Sequence, residues 1–346
     1  MEQSLIEFRD QYKEKLLSFL WKQWTSLGVQ GYEESQDKWV IDPEALLLFS
    51  CNMARHDPRL FDEILDWLQV NGRFINVQRL RKILHKEDFV SQRVISAIAG
   101  FMSEHHKYMK WRGFERNQAD YSSTENLFTL KETVVEPFGK FDPVFQRYGL
   151  IRGEINLRAH TKPVRGNSSP GFLFKLRSIL GVNARCEILL FLLTHEDGAH
   201  PSWVAKETYY SQKAVQDLLV DMTYSGLIQT YRIGRQKRYM LKPKEWFNFL
   251  KLSNDSLLWI SWPSIFSALE KIWLKLNDKD IIQMDPLLLS STLRSLMQEV
   301  RSKIERSGFA KTLSDDQSYL GESYTQAFMN DINSFLSGSL LMHWKE

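Results

Sequence analysis

The chain has only two cysteines among 346 residues, Cys51 and Cys186. They are far apart and each sits in an apolar helical pattern, so two buried reduced thiols are expected rather than a disulfide or a ligand pair. Long apolar runs are missing as well. No stretch of about eighteen apolar residues occurs, and Glu2, Glu7 and Asp10 break the charged-then-apolar order of a signal peptide. A cytoplasmic protein with no membrane partner is expected.

Catalytic motifs are equally scarce. There is no Gly-rich phosphate loop ending in Lys-Ser/Thr, no dinucleotide-binding glycine pattern after a strand, and no Gly-x-Ser-x-Gly elbow. The densest group of acids and imidazoles, His195-Glu196-Asp197 with His200, falls where a loop between two helices is expected. Asp57, Asp62, Glu63 and Asp66 cluster near a helix start, where the macrodipole and solvent accommodate them. Neither group has the makings of a metal site or an acid–base pair. No enzymatic activity, metal or cofactor is therefore expected.

What the chain does have is segregated charge. The formal net charge is +3, but residues 1–145 carry −3, residues 146–245 carry +8 and residues 246–346 carry −2. Within 146–185, Arg147, Arg152, Arg158, Lys162, Arg165, Lys175, Arg177 and Arg185 face Glu154 as the single acid before Arg185. Concentrated positive charge attracts a polyanion.

Helical periodicity dominates elsewhere. Leu5, Phe8, Tyr12, Leu16, Phe19, Leu20 and Trp24 mark one helix over 1–27. Asp42-Pro43 starts a second, Pro58 a third ending near Gly72, and Val77–Leu84 and Phe89–Met102 follow as a helix pair that reads as part of a helical support domain, the alternative being a second helix-turn-helix in which Arg79, Arg81, Lys82 and Lys86 are exposed candidates for phosphate contact. The stretch from His105 to Arg116 interleaves cations with aromatics and reads best as a helix end whose Tyr108, Trp111 and Phe114 cover a core edge. Pro163-Val164-Arg165-Gly166-Asn167-Ser168-Ser169-Pro170-Gly171 has linker composition. Beyond Pro243, four amphipathic segments (246–250, 260–276, 287–304 and 319–336) call for a bundle or a homodimer interface, with packing inside one chain an equal alternative.

The middle of the chain has a more definite order. Phe172–Leu180 is a lead-in helix. Ala184–His195 is a helix with Ile188, Leu189, Phe191, Leu192 and Leu193 crowded together, stopped by Gly198 and Pro201. Ser202 is read as the cap of a short helix carrying Val204 and Ala205 inward, and Ser211 as the cap of a third running to about Ser225. In that third helix Ala214, Val215, Leu218, Leu219 and Met222 recur at three- and four-residue steps, leaving Gln212, Lys213 and Gln216 outward. Leu227–Ile233 and Lys237–Leu241 then flank Gly234-Arg235-Gln236 as a hairpin. This is the layout of a winged helix-turn-helix, and its cationic hairpin suits phosphates.

Residues 184–241 resemble the winged-helix transcriptional regulators of the MarR and ArsR type. The resemblance is carried by Ala184-Arg185-Cys186-Glu187-Ile188-Leu189, Val204-Ala205, Ser211-Gln212-Lys213-Ala214-Val215, Leu219 and Met222, Gly226-Leu227-Ile228, and Gly234-Arg235 before Tyr239. It covers about a sixth of the chain. It implies a homodimer, the Ser211 helix in the major groove and the Gly234-Arg235 wing on the backbone or minor groove. Asp217, Val220 and Asp221 depart from the basic or small polar residues common along such a helix.

The fold expected is mainly α, with α+β character confined to the winged helix: a helical domain over 1–162, a linker over 163–171, the winged helix-turn-helix over 172–245, and a helical region over 246–346 that serves either dimerisation or packing within the chain. The function expected is DNA-binding transcription regulation. Ser211, Gln212, Lys213 and Gln216 would serve the recognition helix, with Arg232, Arg235, Lys237 and Arg238 on the wing and Arg165, Lys175 and Arg177 on the basic approach. The alternative is a protein-binding adaptor, or the antitoxin or regulatory partner of a two-protein operon, motivated by Asp217, Val220 and Asp221.

Overall fold

Asp42 and Pro43 illustrate how the helices of this chain begin. Asp42 is extended and its carboxylate accepts from the Ala45 amide at 3.1 Å, while Pro43 supplies the first helical φ without wasting a donor. Asp57-Pro58, Asp142-Pro143 and Asp285-Pro286 repeat the device. The computed structural model describes residues 2–31, 39–105, 108–115, 123–130, 133–134, 139–250, 257–306, 313–314 and 318–340.

The described chain is mainly helical. Its first part runs α1 (Glu2–Ser26), α2 (Pro43–Met53), α3 (Pro58–Asn71), α4 (Val77–Lys86), α5 (Gln92–His105), the short α6 (Arg112–Glu115) and α7 (Pro143–Arg147). Two-residue strands accompany them: β1 (Glu125–Asn126) pairs in parallel with β4 (Leu150–Ile151), and β2 (Thr129–Leu130) pairs antiparallel with β3 (Thr133–Val134). The middle part comprises α8 (Phe172–Leu180), α9 (Ala184–Leu193), α10 (Pro201–Thr208), α11 (Gln212–Thr223), β5 (Ile228–Ile233), β6 (Gln236–Leu241) and α12 (Pro243–Leu250). The last part holds α13 (Trp262–Leu276), α14 (Lys279–Ile282), α15 (Pro286–Ile304) and α16 (Ser323–Ser334). Among the described residues, no helix is long and apolar enough to cross a membrane.

Two cores result, and their division is not the one expected. The larger core joins α1–α5 with α13, α15 and α16. Phe49 stacks on Phe266 with ring centroids 4.9 Å apart, Tyr12 Oη donates to the Leu269 carbonyl at 3.0 Å, and Lys15 Nζ donates to Asn333 Oδ1 at 2.9 Å. The C-terminal helices therefore spend their apolar faces on the N-terminal helices of the same chain. Helices α13, α15 and α16 thus share the core of α1–α5 instead of forming a region apart, while Leu287, Leu288 and Leu320 stay exposed. The smaller core belongs to α8–α12 and the β5–β6 hairpin. It is an insertion between the two halves of the larger body.

The segment read as a linker is fastened to that body. Asn71 accepts from the Val164 amide at 3.2 Å and the Ile41 amide donates to the Pro170 carbonyl at 3.3 Å, while just upstream Asp66 accepts from the Ala159 and Thr161 amides at 2.7 and 3.0 Å. Its Pro, Gly and Ser content serves a fixed path rather than freedom. From there α8 straddles both cores: Phe174 sets its ring edge-on to Trp67 and Phe74 in the larger one, while Phe172, Leu173 and Leu176 enter the smaller.

Trp111 and Phe114 are buried as a core edge, and Lys110 Nζ donates to the Arg73 and Ile75 carbonyls at 2.6 and 2.8 Å. His106, Lys107 and Arg116 of that aromatic-basic stretch lie outside the described residues. Cys51 and Cys186 are both buried and free, and burial raises both thiols, Cys186 to about 12.

Candidate nucleic-acid interface

The inserted unit is held together by α9. Ile188, Phe191 and Leu192 are fully buried, and α9 packs against α8, α10, α11 and β6. The cap of α10 is His200 rather than Ser202: Pro201 takes the first helical position, and the Ser202 amide donates to His200 Nδ1 at 3.2 Å. Proline at that place starts the second helix as well as stopping the first. His195 does not lie in open solvent either. It stacks on Phe191 at 3.9 Å and its Nδ1 hydrogen-bonds the Phe191 carbonyl at 2.7 Å.

Ser211 caps α11, accepting from the Ala214 amide at 3.3 Å. Val215 and Leu219 are buried and Leu218 and Met222 are partly so, but Ala214 is exposed. Ser211, Gln212 and Lys213 are exposed, as are Asp217 and Asp221. Gln216 departs from the outward placement expected of it. It is half-buried and its Nε2 donates to the Tyr239 hydroxyl at 3.1 Å, tying α11 to the hairpin.

The hairpin runs in register from Ile228 opposite Leu241 to Ile233 opposite Gln236, with Gly234 at φ +58° in its two-residue turn. Directly opposed residues share a face, so Ile228, Leu241 and Tyr239 turn inward together. A single bridge widens this sheet: Ala199 and Tyr239 exchange amide-to-carbonyl bonds of 2.8 and 2.9 Å. Gly198, at φ +65°, makes that approach feasible, since a Cβ there would stand 2.7 Å from the Tyr239 carbonyl oxygen.

Toward its tip the hairpin becomes cationic. Arg232 stands directly opposite Lys237, with Arg235 in the turn, and all three are exposed. Arg238 is half-buried. From Leu227 through Lys242 the sequence contains five cations and no acid. Like charges set across a strand pair repel, so this arrangement detracts from the stability of the hairpin.

The expected basic approach is divided: Arg165 is exposed and Lys175 half-buried, whereas Arg177 is interior. Arg177 is 2% exposed and bonded on every side: Nη1 and Nη2 reach Glu44 at 2.7 and 2.8 Å, Nη2 and Nε reach Glu187 Oε1 at 2.5 and 3.1 Å, and Nη1 reaches the Phe74 carbonyl at 2.7 Å. It is a structural cation and is withdrawn from the interface. Arg152 is also buried, paired with Asp62, and Arg147 pairs with Glu104. Lys175, on α8, donates to Asn167 Oδ1 at 2.9 Å, and the exposed Arg165 lines a cleft with Gly28, Gln30 and Lys162.

Arg79 was read as exposed and is the second buried guanidinium. It grips Asp42 through two bonds of 2.9 and 2.5 Å and Glu44 at 2.7 Å, and its Nε donates to the Thr208 carbonyl at 3.0 Å. Burial disfavours the Asp42 carboxylate, but Arg79 outweighs it and holds the pKa below the usual range. Tyr210 Oη donates to Glu187 at 3.1 Å and accepts from Asn76 at 2.8 Å. Three carboxylates and two guanidiniums, drawn from α2, α4, α8 and α9, thus clamp the inserted unit to the body. Helical spacing gave no hint of this, because the partners lie up to 133 positions apart.

No protein-family model, no curated protein and no solved structure matches this chain.

Proposed function

We propose that residues 172–245 form a winged helix-turn-helix that binds double-stranded DNA, and that the chain is a transcriptional regulator. The observation carrying this reading is the hairpin, where Arg232 and Lys237 oppose each other beside Arg235 with no acid between Leu227 and Lys242. A folded chain tolerates such repulsion at small cost, and a phosphate backbone relieves it. The N-terminal turn of α11, with Ser211, Gln212 and Lys213 exposed, is the part of the recognition helix that reads base edges. Gln216 acts as a brace for that helix; Asp217, one turn beyond Lys213, shares its exposed face and limits phosphate contact to the first turn, and Asp221 stands 3.9 Å from Arg185. With four or five phosphate contacts, the log–log salt dependence of binding has a slope of about −4.

Filter-binding titration of the full chain on genomic DNA fragments tests this. Arg235→Ala/Lys237→Ala is expected to weaken binding and flatten the salt dependence. No binding at low salt, or binding indifferent to the double substitution, would overturn the reading.

A second reading, a regulatory protein partner, is favoured by one observation: Tyr224 is 86% exposed just beyond the acidic face of α11, and Leu227 and Ile233 are exposed near it in the chain. Recovery of one stoichiometric protein and no nucleic acid from the native host would support that alternative.

A further inference from the structure

The turn between α10 and α11 does not stand alone, because α4 of the helical body lies alongside it. Arg79 Nε holds the Thr208 carbonyl and Asn76 holds the Tyr210 hydroxyl. One turn apart on the same helix face, the Lys82 ammonium sits 5.4 Å from the Tyr210 ring centre and the Lys86 ammonium 4.8 Å from that of Tyr209. Lys86 also reaches the Lys206 carbonyl at 3.4 Å. Lys82, Lys86, Lys206 and Lys213 are all exposed.

The acids of this seam are already committed inward. Glu87 is 3% exposed, held by Lys303 at 2.8 Å and by the Tyr209 hydroxyl at 2.5 Å. Glu207 is 7% exposed, held by Arg306 at 3.1 Å and Ser261 at 3.0 Å. Partial burial lowers the Lys86 ammonium from its ordinary value, and Arg306 and Lys206 lower it further against the opposing pull of Glu87 and Glu207. The exposed carboxylate Asp88 follows the end of α4. The outer side of the seam is otherwise cationic, and it adjoins the N-terminus of α11, whose dipole favours an anion.

We infer that α4 is a second DNA contact: Lys82 and Lys86, with Lys206, hold backbone phosphates flanking the groove that α11 occupies. This rests on the DNA-binding reading and extends it from the inserted unit to the helical body. The buried clamp gives the extension its precision, since Arg79 is anchored in α4 itself. A winged unit free to swing would not keep α4 in register with its own recognition helix.

The test uses the full chain and a fluorescent mixed-sequence duplex about three helical turns long, titrated between about 50 and 200 mM salt. Lys82→Gln/Lys86→Gln is expected to lower the salt slope by about 2 and to weaken binding equally on unrelated sequences, as loss of two phosphate contacts requires. Circular dichroism verifies folding. Should the double variant be misfolded, Lys82→Gln alone is expected to lower the slope by about 1. An unchanged slope in the folded α4 variant, while Arg235→Ala/Lys237→Ala lowers it, overturns this inference and leaves the DNA-binding reading standing. Absence of binding by the wild-type chain overturns both.

Discussion

Arg79 and Arg177 on one side, and Arg232 and Arg235 on the other, are the same residue type in opposite situations. The first pair is buried, each guanidinium bonded to two carboxylates and a carbonyl. The second pair is exposed on a hairpin without an acid, one of them opposite another cation. A buried charge must be matched inside the protein, because leaving water costs several kcal/mol per ion. An exposed charge is stabilised by solvent and remains available to a ligand. Arginine at the clamp thus fixes where the inserted unit sits, and arginine at the hairpin is left for something outside.

Breaking the clamp gives the largest expected effect. Arg177→Met leaves Glu44 and Glu187 short of a partner, and a loss of about 3–5 kcal/mol is expected in urea unfolding. A loss under about 1 kcal/mol would show that the buried ions contribute no more than surface pairs do.

A buried carboxyl without a cation in hydrogen-bond contact provides the next test. Burial pushes Glu270 up to about 7 from 4.5, although the Val90 amide and Asn52 donate to it at 3.1 and 3.2 Å. A raised folded-state pKa means that its stabilising contribution is complete below about 4.5 and is lost as pH rises through 7. Glu270→Gln is expected to gain stability over wild type between those values, on the order of 3 kcal/mol by pH 8, and equal stability profiles would refute this.

Gly198→Ala tests whether the inserted unit depends on its extra bridge. Positive φ and the Tyr239 carbonyl both oppose a Cβ, and a destabilisation on the order of 2 kcal/mol is expected from thermal unfolding.

The smallest effect on stability completes the contrast with the clamp. Arg232→Ala/Lys237→Ala removes a cross-strand repulsion, so stability is expected to hold or rise by about 0.2–1 kcal/mol while DNA affinity falls. Lost stability together with unchanged affinity would make these cations structural, like Arg177.

The sequence by itself determined the local parts. Asp42-Pro43, Pro58 and Ser211 announced helix starts, three- and four-step apolar spacing announced packing faces, and Gly234-Arg235 between β-rich runs announced the hairpin. These are interactions between residues a few positions apart, which composition and spacing record. The exposed cations at the hairpin were legible for the same reason. Tertiary structure alone decided which cations are surface: Arg177 and Arg232 look alike in sequence, and Glu44, far away on α2, together with Glu187 on α9 makes one of them interior. It also decided that the C-terminal helices complete the N-terminal core, that Gln216 braces Tyr239, and that α4 lies beside the α11 turn. An amphipathic helix specifies that its apolar face must be covered, and not by what; the covering element is selected by the packing of the whole chain.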